Sequence, residues 1–275
     1  MTQMDSVFKS DVCNNNTSSR AFHAYCIGTQ KSGTHSIAGL FQPRYHSAHE
    51  PEHYPLIELL LANQPVNQIN EQLTKRDQDL SLELESSNIL SFFIESLVSE
   101  FTEAKFILTI RDCYSWLDSC LNHQLNAQRT EEMAFWWRYR DFCFRQEAFQ
   151  HAAQEKTLAE HNLYTLDGYL SYWQSINQKI LATIPPERLL IVRTVEIEAS
   201  IDKIAQFLPI PVETLNPSRS HLYKAQKKFN LLWQIDRDFL EQKVEFYCRP
   251  FMAQYFPEVQ QMNDVLGGDA KEMKK

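Results

Sequence analysis

Residues 26–36 decide the fold, and they read Cys26-Ile27-Gly28-Thr29-Gln30-Lys31-Ser32-Gly33-Thr34-His35-Ser36. A strand-like run (21–27) leads into this stretch, and an apolar pattern with helical spacing begins near Thr34. Gly28 and Gly33 allow a tight turn in which consecutive backbone N–H groups face one point, and the N-terminus of the helix faces the same point. Lys31 adds a positive charge, and three hydroxyl groups add donors. The stretch therefore predicts a loop that binds a phosphate or sulfate group.

Two common nucleotide-binding patterns do not fit this loop. In the phosphate loop of magnesium-dependent nucleotide triphosphatases, the lysine follows the second glycine, whereas Lys31 precedes Gly33 by two residues. The G-x-G-x-x-G pattern of dinucleotide-binding proteins is absent as well. The loop therefore favours an anion-binding site of another class.

Composition indicates one large globular domain. The chain has 275 residues, 43% of them hydrophobic, and we expect residues 20–266 to form a single domain between a mobile leader (1–19) and a frayed tail (267–275). With 35 acidic and 27 basic residues the net charge is −8, which argues against nucleic acid as a partner. Six scattered cysteines, no signal-peptide layout and no apolar run of about 18 residues favour a cytoplasmic protein without a membrane span.

Strand and helix patterns alternate along the chain, which predicts a helix-rich α/β fold with a central parallel sheet flanked by helices. The sheet is expected to resemble that of P-loop proteins. Strands are expected at 21–27, 45–49, 105–110 and 188–193. Helices are expected at about 34–42, 54–76 with a break near Pro65, 87–101, 130–154, 167–184 and 196–208.

A second anion site is predicted after the strand at 105–110, which ends in Arg111-Asp112. Ligands of parallel sheets bind outside the carboxyl ends of the strands, so a charged pair at this point suits a ligand site. Arg111 and Ser119 are eight positions apart, so a guanidinium at the strand end and a hydroxyl on the next helix can reach one anion.

The two motifs together resemble those of sulfotransferases that use 3′-phosphoadenosine 5′-phosphosulfate (PAPS). The resemblance covers roughly residues 21–230 and also includes the segment 169–208 with Arg193-Thr194. It implies that residues 29–36 bind the phosphosulfate and that Arg111 and Ser119 bind the 3′-phosphate. Arg193 and, in a weakly matching basic segment (216–224), Arg219 are further candidates for binding the cofactor. The chain departs from the usual motifs at His35 and at Cys113.

The resemblance also implies a mechanism that needs no metal. Lys31 would stabilise the charge that grows toward the leaving 3′-phosphoadenosine 5′-phosphate (PAP), and a base would take the proton of the acceptor. His49 or Glu50 is the predicted base, with His123 and His35 next in line, because the segment 45–49 returns the chain to the sheet beside the loop. Neighbours on a strand face opposite sides, so only one of the pair need point into the site.

The acceptor is expected to be a small molecule. The acidic cluster near the predicted base mildly favours a polar or cationic acceptor, such as a guanidinium alkaloid of secondary metabolism, over an acidic polysaccharide. Two other functions stay open at this point. One is a kinase-like phosphoryl transferase, for which only Asp112 offers a metal-binding carboxylate at a strand end. The other is a non-catalytic nucleotide-binding protein of the same fold.

Overall fold

The structure is a computed structural model that describes residues 20–127, 133–219 and 227–266. The predicted leader (1–19), the predicted tail (267–275) and the end of the basic segment (220–224) lie outside these residues.

A five-stranded parallel sheet forms the centre of the fold, as the sequence predicts. Its strands lie in the order β2-β3-β1-β4-β5. They are β1 (Ala24–Gly28), β2 (Ser47–His49), β3 (Leu84–Ser86), β4 (Lys105–Ile110) and β5 (Leu189–Arg193). The chain leaves β1 toward one edge and later crosses to the other, so a topological switch point, where such sheets bind ligands, lies at the carboxyl end of β1.

Helices cover both faces of the sheet. In the described residues the α-helices are α1 (Thr34–Phe41), α2 (His53–Leu61), α3 (Val66–Leu80), α4 (Ile94–Glu100), α5 (Cys113–Asn126), α6 (Ala134–Phe144), α7 (Lys156–Glu160), α8 (Leu166–Thr183), α9 (Ile201–Phe207), α10 (Arg237–Tyr247), α11 (Arg249–Tyr255) and α12 (Asn263–Leu266). No helix in these ranges combines the length and the apolar character needed to cross a membrane.

Successive residues of the central strands face two hydrophobic cores. On β1, Tyr25 and Ile27 pack into the larger core, whereas Ala24 and Cys26 pack into the smaller one. Because side chains alternate between the two faces of a strand, a continuous apolar run is required for a strand that is buried on both faces. This explains why β1 and β4 were recognisable in the sequence.

One strand was not predicted, and several predicted helices differ in extent from those observed. The strand β3 has only three residues and carries the buried Glu85, paired with Arg76 of α3. The expected helix 87–101 is divided into a 3-10 helix (Ile89–Phe93) and α4. The long helix expected at 130–154 ends at Phe144, because Arg145 adopts a left-handed conformation (φ 49°) that cannot continue an α-helix.

Candidate functional site

The anion loop connects β1 to α1 and has the backbone that its glycines predict. Gly28 (φ 146°), Gly33 (φ 111°) and Lys31 (φ 65°) all have positive φ. Left-handed geometry is readily available to glycine, whereas a lysine adopts it only where the surrounding structure fixes it. A Cβ atom on Gly33 would lie 2.8 Å from Ile197 Cδ1, the end of a flexible side chain that could shift, so the positive φ is the main reason for a glycine there.

Buried side chains from other elements hold this loop in place. The indole N–H of Trp116 on α5 donates to the Gln30 carbonyl over 2.7 Å, and the Gln30 N–H lies 3.4 Å from the Tyr172 hydroxyl. Ser32 Oγ donates to the Thr29 carbonyl (2.7 Å) and lies 2.8 Å from Thr109 Oγ1 of β4. The loop conformation is therefore part of the folded core.

A cavity of about 520 Å³ opens above the carboxyl ends of the strands. Each strand is followed by a residue that lines it: Lys31 after β1, Glu50 after β2, Asn88 after β3, Arg111 after β4 and Thr194 after β5. The lining includes ten of the residues predicted from sequence, namely Gln30, Lys31, Gly33, Thr34, His35, Ser36, His49, Glu50, Arg111 and Ser119. The two predicted anion sites and the predicted base thus share one cavity.

Four predicted residues are not part of this lining. Thr29 is buried, and the Ser32 hydroxyl bonds to Thr29 and β4 as described. Arg193 forms ion pairs with Glu258 and, over 3.4 Å, with Glu196. Arg219 donates to Gln42 Oε1 over 2.9 Å. The structure therefore does not bring these four side chains to the cavity.

Arg111 is held rigidly at the end of β4. Its Nε donates to Ser115 Oγ over 3.0 Å, and its Nη1 lies 3.4 Å from the Lys31 carbonyl. The indole N–H of Trp173 donates to the Arg111 carbonyl over 3.1 Å. Burial lowers the pKa of the guanidinium, which stays a cation at neutral pH because arginine starts from so high a value. Ser119, one turn beyond Ser115 on α5, faces the same cavity.

His49 stands at the last position of β2 and contacts the start of α1. Its Nε2 lies 3.1 Å from Thr34 Oγ1, and its ring packs edge-on against His35 with centroids 4.8 Å apart. Burial, reinforced by the nearby His35 and Lys31, lowers the pKa of His49 to about 3. The imidazole is therefore neutral at physiological pH and a weak base.

Glu50 also lines the cavity, so both members of the predicted pair reach it, although only one was required to. The residue lies just past the strand and has φ 50°, a left-handed conformation that breaks the strand alternation. Asn88 Nδ2 donates to its Oε1, and Asn88 Oδ1 in turn accepts from the Tyr139 hydroxyl. Burial raises the pKa of Glu50 to about 7, although the hydrogen bond from Asn88 opposes the shift. This carboxyl group is therefore half-ionised near neutral pH.

One wall of the cavity is formed by α6 and by Asn88, which follows β3. Its members include Asn88, Trp136, Tyr139 and Arg140, none of which was predicted as a site residue. Trp136 lines the cavity and also stacks on His53, with ring centroids 5.0 Å apart. Arg140 had no motif to mark it, since only the fold brings it to the cavity.

Asp112 is not part of the cavity lining. Its Oδ1 accepts the Ser115 N–H over 2.8 Å and caps the start of α5, and its Oδ2 accepts from the Ser115 hydroxyl. Within the described ranges, no group of three or more His, Cys, Asp or Glu side chains is arranged to hold a metal ion.

Comparison with known proteins identifies the family. The family model of the sulfotransferase domain matches residues 25–219. A sulfotransferase structure from Alicyclobacillus acidocaldarius is 12% identical, and the alignment covers 85% of this chain and 95% of that chain with a TM-score of 0.50. One from Mycobacterium avium is 13% identical, with 83% and 76% covered and a TM-score of 0.48. No curated protein matched the sequence.

At such low identity the Alicyclobacillus structure supports the fold alone, whereas the family model spans most of the chain and includes the loop, Arg111 and Ser119. The chain belongs to the sulfotransferase domain family.

Proposed function

We propose that the protein transfers the sulfuryl group of PAPS to a hydroxyl or amine group of a small acceptor. The observation that carries the proposal is the pairing of two separate anion sites on one cavity, the loop with Lys31 and the Arg111–Ser119 pair. PAPS carries a 3′-phosphate and a 5′-phosphosulfate, and it supplies an activated sulfuryl group when bound. Two cations, the Ser119 hydroxyl in the cavity lining and the backbone N–H groups of a glycine loop fit these anions.

Arg111 and Ser119 would bind the 3′-phosphate. The guanidinium is fixed through Ser115 and Lys31, so little side-chain freedom is lost when an anion binds. A nucleotide without the 3′-phosphate leaves this buried cation without its ligand, and a charge-assisted hydrogen bond contributes about 1.5–3 kcal/mol.

Lys31 would hold the phosphosulfate against the loop. Lys31 has a left-handed backbone conformation within the loop, and it lines the cavity. Burial lowers the pKa of its ammonium, and a bound anion favours the charged form again. Lys31 is therefore suited to stabilise negative charge that grows toward the leaving nucleotide during the transfer.

Glu50 is the better of the two candidate bases. A base works best when its pKa lies near the operating pH, and the value of about 7 for Glu50 meets this condition, whereas the value of about 3 for His49 does not. In this proposal a Glu50 oxygen accepts the proton of the acceptor. His49 would orient the Glu50 carboxyl group beside the loop. Its Nε2 is 3.9 Å from Glu50 Oε1 and 3.1 Å from Thr34 Oγ1.

The acceptor would lie against the α6 wall, where Trp136 and Tyr139 provide aromatic surface near Glu50. Aromatic faces bind flat or cationic groups. We therefore still predict a small polar or cationic acceptor, for example a guanidinium alkaloid of secondary metabolism. The described cysteines are buried free thiols, which supports a reducing compartment such as the cytoplasm.

The test combines binding and transfer. Calorimetry should show that PAP binds at least ten times more tightly than AMP, and Arg111→Ala should reduce that preference. Arg138→Gln is the matched control, because Arg138 is exposed and pairs with Glu58. Equal affinity of the wild type for PAP and AMP would refute the assignment.

Transfer should then be measured with ³⁵S-labelled PAPS across classes of small acceptor. Binding of PAP without transfer to any class would favour a non-catalytic nucleotide-binding protein. ATP binding that depends on magnesium would favour a phosphoryl transferase, but Asp112, the carboxylate that such an enzyme would use, already caps α5.

A further inference from the structure

Arg140 on α6 is a buried cation that has no role in the function proposed above. Its residue is only 4% exposed, yet it lines the cavity. Within the part of the chain that the structure describes, its Nη1 has no hydrogen-bond partner. Its guanidinium stacks on the Trp137 ring, with the central carbon 4.5 Å from the ring centroid, so the group is held in place.

In the described residues Arg140 forms no ion pair, and Glu50, the acid on which its charge acts, is only half-ionised near neutral pH. The groups that interact with it most strongly are the hydroxyls of Tyr164 and Tyr169 and the thiols of Cys120 and Cys143. Burial raises the pKa values of all four, so these groups are neutral at physiological pH. A buried charge without a partner is strongly unfavourable, and protein interiors normally pair such a charge or use it to bind a ligand. An anionic ligand would resolve this conflict.

The position of Arg140 narrows the choice of anion. The residue shares the cavity with Lys31 of the loop and with Glu50, and its charge acts on both of them. Arg111 stands at another strand end and interacts with Ser115 and Lys31. Arg140 therefore lines the same cavity as the cation that would hold the phosphosulfate and the base that would receive the proton. In the proposed reaction the sulfuryl group occupies that cavity.

We propose that Arg140 binds the non-bridging oxygens of the donor's sulfuryl group. The inference rests on the proposed function and adds to it a residue that distinguishes PAPS from its product PAP. A planar guanidinium can give two parallel hydrogen bonds to a tetrahedral oxyanion, so it fixes the orientation of the group as well as its charge.

The test is a thermodynamic cycle in which the sulfuryl group is one perturbation and the side chain is the other. Affinities for PAP and for PAPS are measured without acceptor by calorimetry, for the wild type and for Arg140→Gln. Arg140→Gln should weaken PAPS binding about 10- to 100-fold and PAP binding less than 3-fold. Arg140→Lys keeps the charge but cannot give two parallel hydrogen bonds, so it should recover part of the lost PAPS affinity.

Two control variants complete the cycle. Arg111→Gln should weaken both nucleotides by a similar factor, because the 3′-phosphate is common to them. Arg138→Gln, on the exposed face of the same helix, should change neither. Thermal unfolding of each variant checks that the fold is retained.

The outcomes separate the two proposals. Failure of the wild type to bind PAP would refute the proposed function and the role of Arg140 with it. Tight PAP binding with an unchanged PAPS-to-PAP affinity ratio in Arg140→Gln would refute the role of Arg140 alone. A loss of acceptor affinity without any change in that ratio would also refute it, because Arg140 would then bind the acceptor.

Discussion

Replacing Glu50 by Gln should make the protein more stable at neutral and alkaline pH. Burial raises the pKa of Glu50 from its ordinary value of 4.5 to about 7 in the folded protein. Between these two values the unfolded chain releases the proton while the folded protein keeps it. The folded state binds more protons there, so the free energy of unfolding of the wild type falls as the pH rises. Glutamine is uncharged and can still accept the hydrogen bond from Asn88.

The magnitude follows from the pKa difference. Each pKa unit corresponds to about 1.36 kcal/mol, so the shift from 4.5 to about 7 is worth about 3 kcal/mol. The stability of Glu50→Gln relative to wild type should therefore be constant below about pH 4.5, rise by about 3 kcal/mol up to pH 7, and level off above it. Burial lowers the pKa of His49 to about 3, so its contribution to stability changes with pH in the opposite direction, and its 3.9 Å contact with Glu50 couples the two titrations.

Urea unfolding of both proteins at half-unit pH steps from 4 to 8.5 measures this difference. The same two proteins give the catalytic test. The kcat/KM of the wild type should fall below about pH 7, because this ratio reports ionisations of the free enzyme, and Glu50→Gln should lose roughly 10²- to 10⁴-fold in activity. A stability difference that does not change with pH, or that declines as the pH rises, would refute a buried, high-pKa Glu50.

Three further predictions concern single residues. Asn88→Ala removes the hydrogen bond that favours ionised Glu50, so the acidic limb of kcat/KM should move to higher pH; an unchanged limb would contradict the role of Asn88. Lys31→Ala should lower kcat by a larger factor than it weakens PAP binding, and equal factors would make Lys31 a binding residue only. Gly28→Ala should destabilise the fold by at least about 1–3 kcal/mol in urea unfolding, because its Cβ would lie 2.5 Å from the Thr109 carbonyl oxygen and its φ is +146°; wild-type stability would show that β1 and β4 can separate.

The parts of the fold that depend on continuous apolar strands were predictable. β1 and β4 are recognisable because strands buried on both faces need apolar residues at almost every position, and the half-buried edge strand β5 is recognisable from its short apolar run. β3 was not, since three residues carry too little pattern and its charged residue, Glu85, is paired with Arg76 of the preceding helix α3.

In the candidate site, too, some features could be predicted from the sequence and others depend on the fold. The loop and the Arg111–Ser119 pair depend on spacing along the chain, so sequence reasoning reached them. Glu50 was also predicted, but its presence in the cavity beside His49 depends on a local left-handed backbone conformation, and that of Arg140 on the packing of α6 over the cavity; neither leaves a periodic signal. Arg193 and Arg219 were candidates by resemblance alone, and in the structure they contact Glu258 and Gln42.

The two indole N–H groups that hold the Gln30 and Arg111 carbonyls connect the helix layer to both anion sites. Trp116 and Trp173 are fully buried in the core, so the geometry of the loop and of the strand end is established during folding. Nucleotide binding should then lose little backbone conformational entropy, and association should be fast and show no slow ordering step. The same contacts make the site sensitive to distant substitutions. A substitution that leaves a cavity beneath either indole would make an anion site less rigid without changing a residue that lines it.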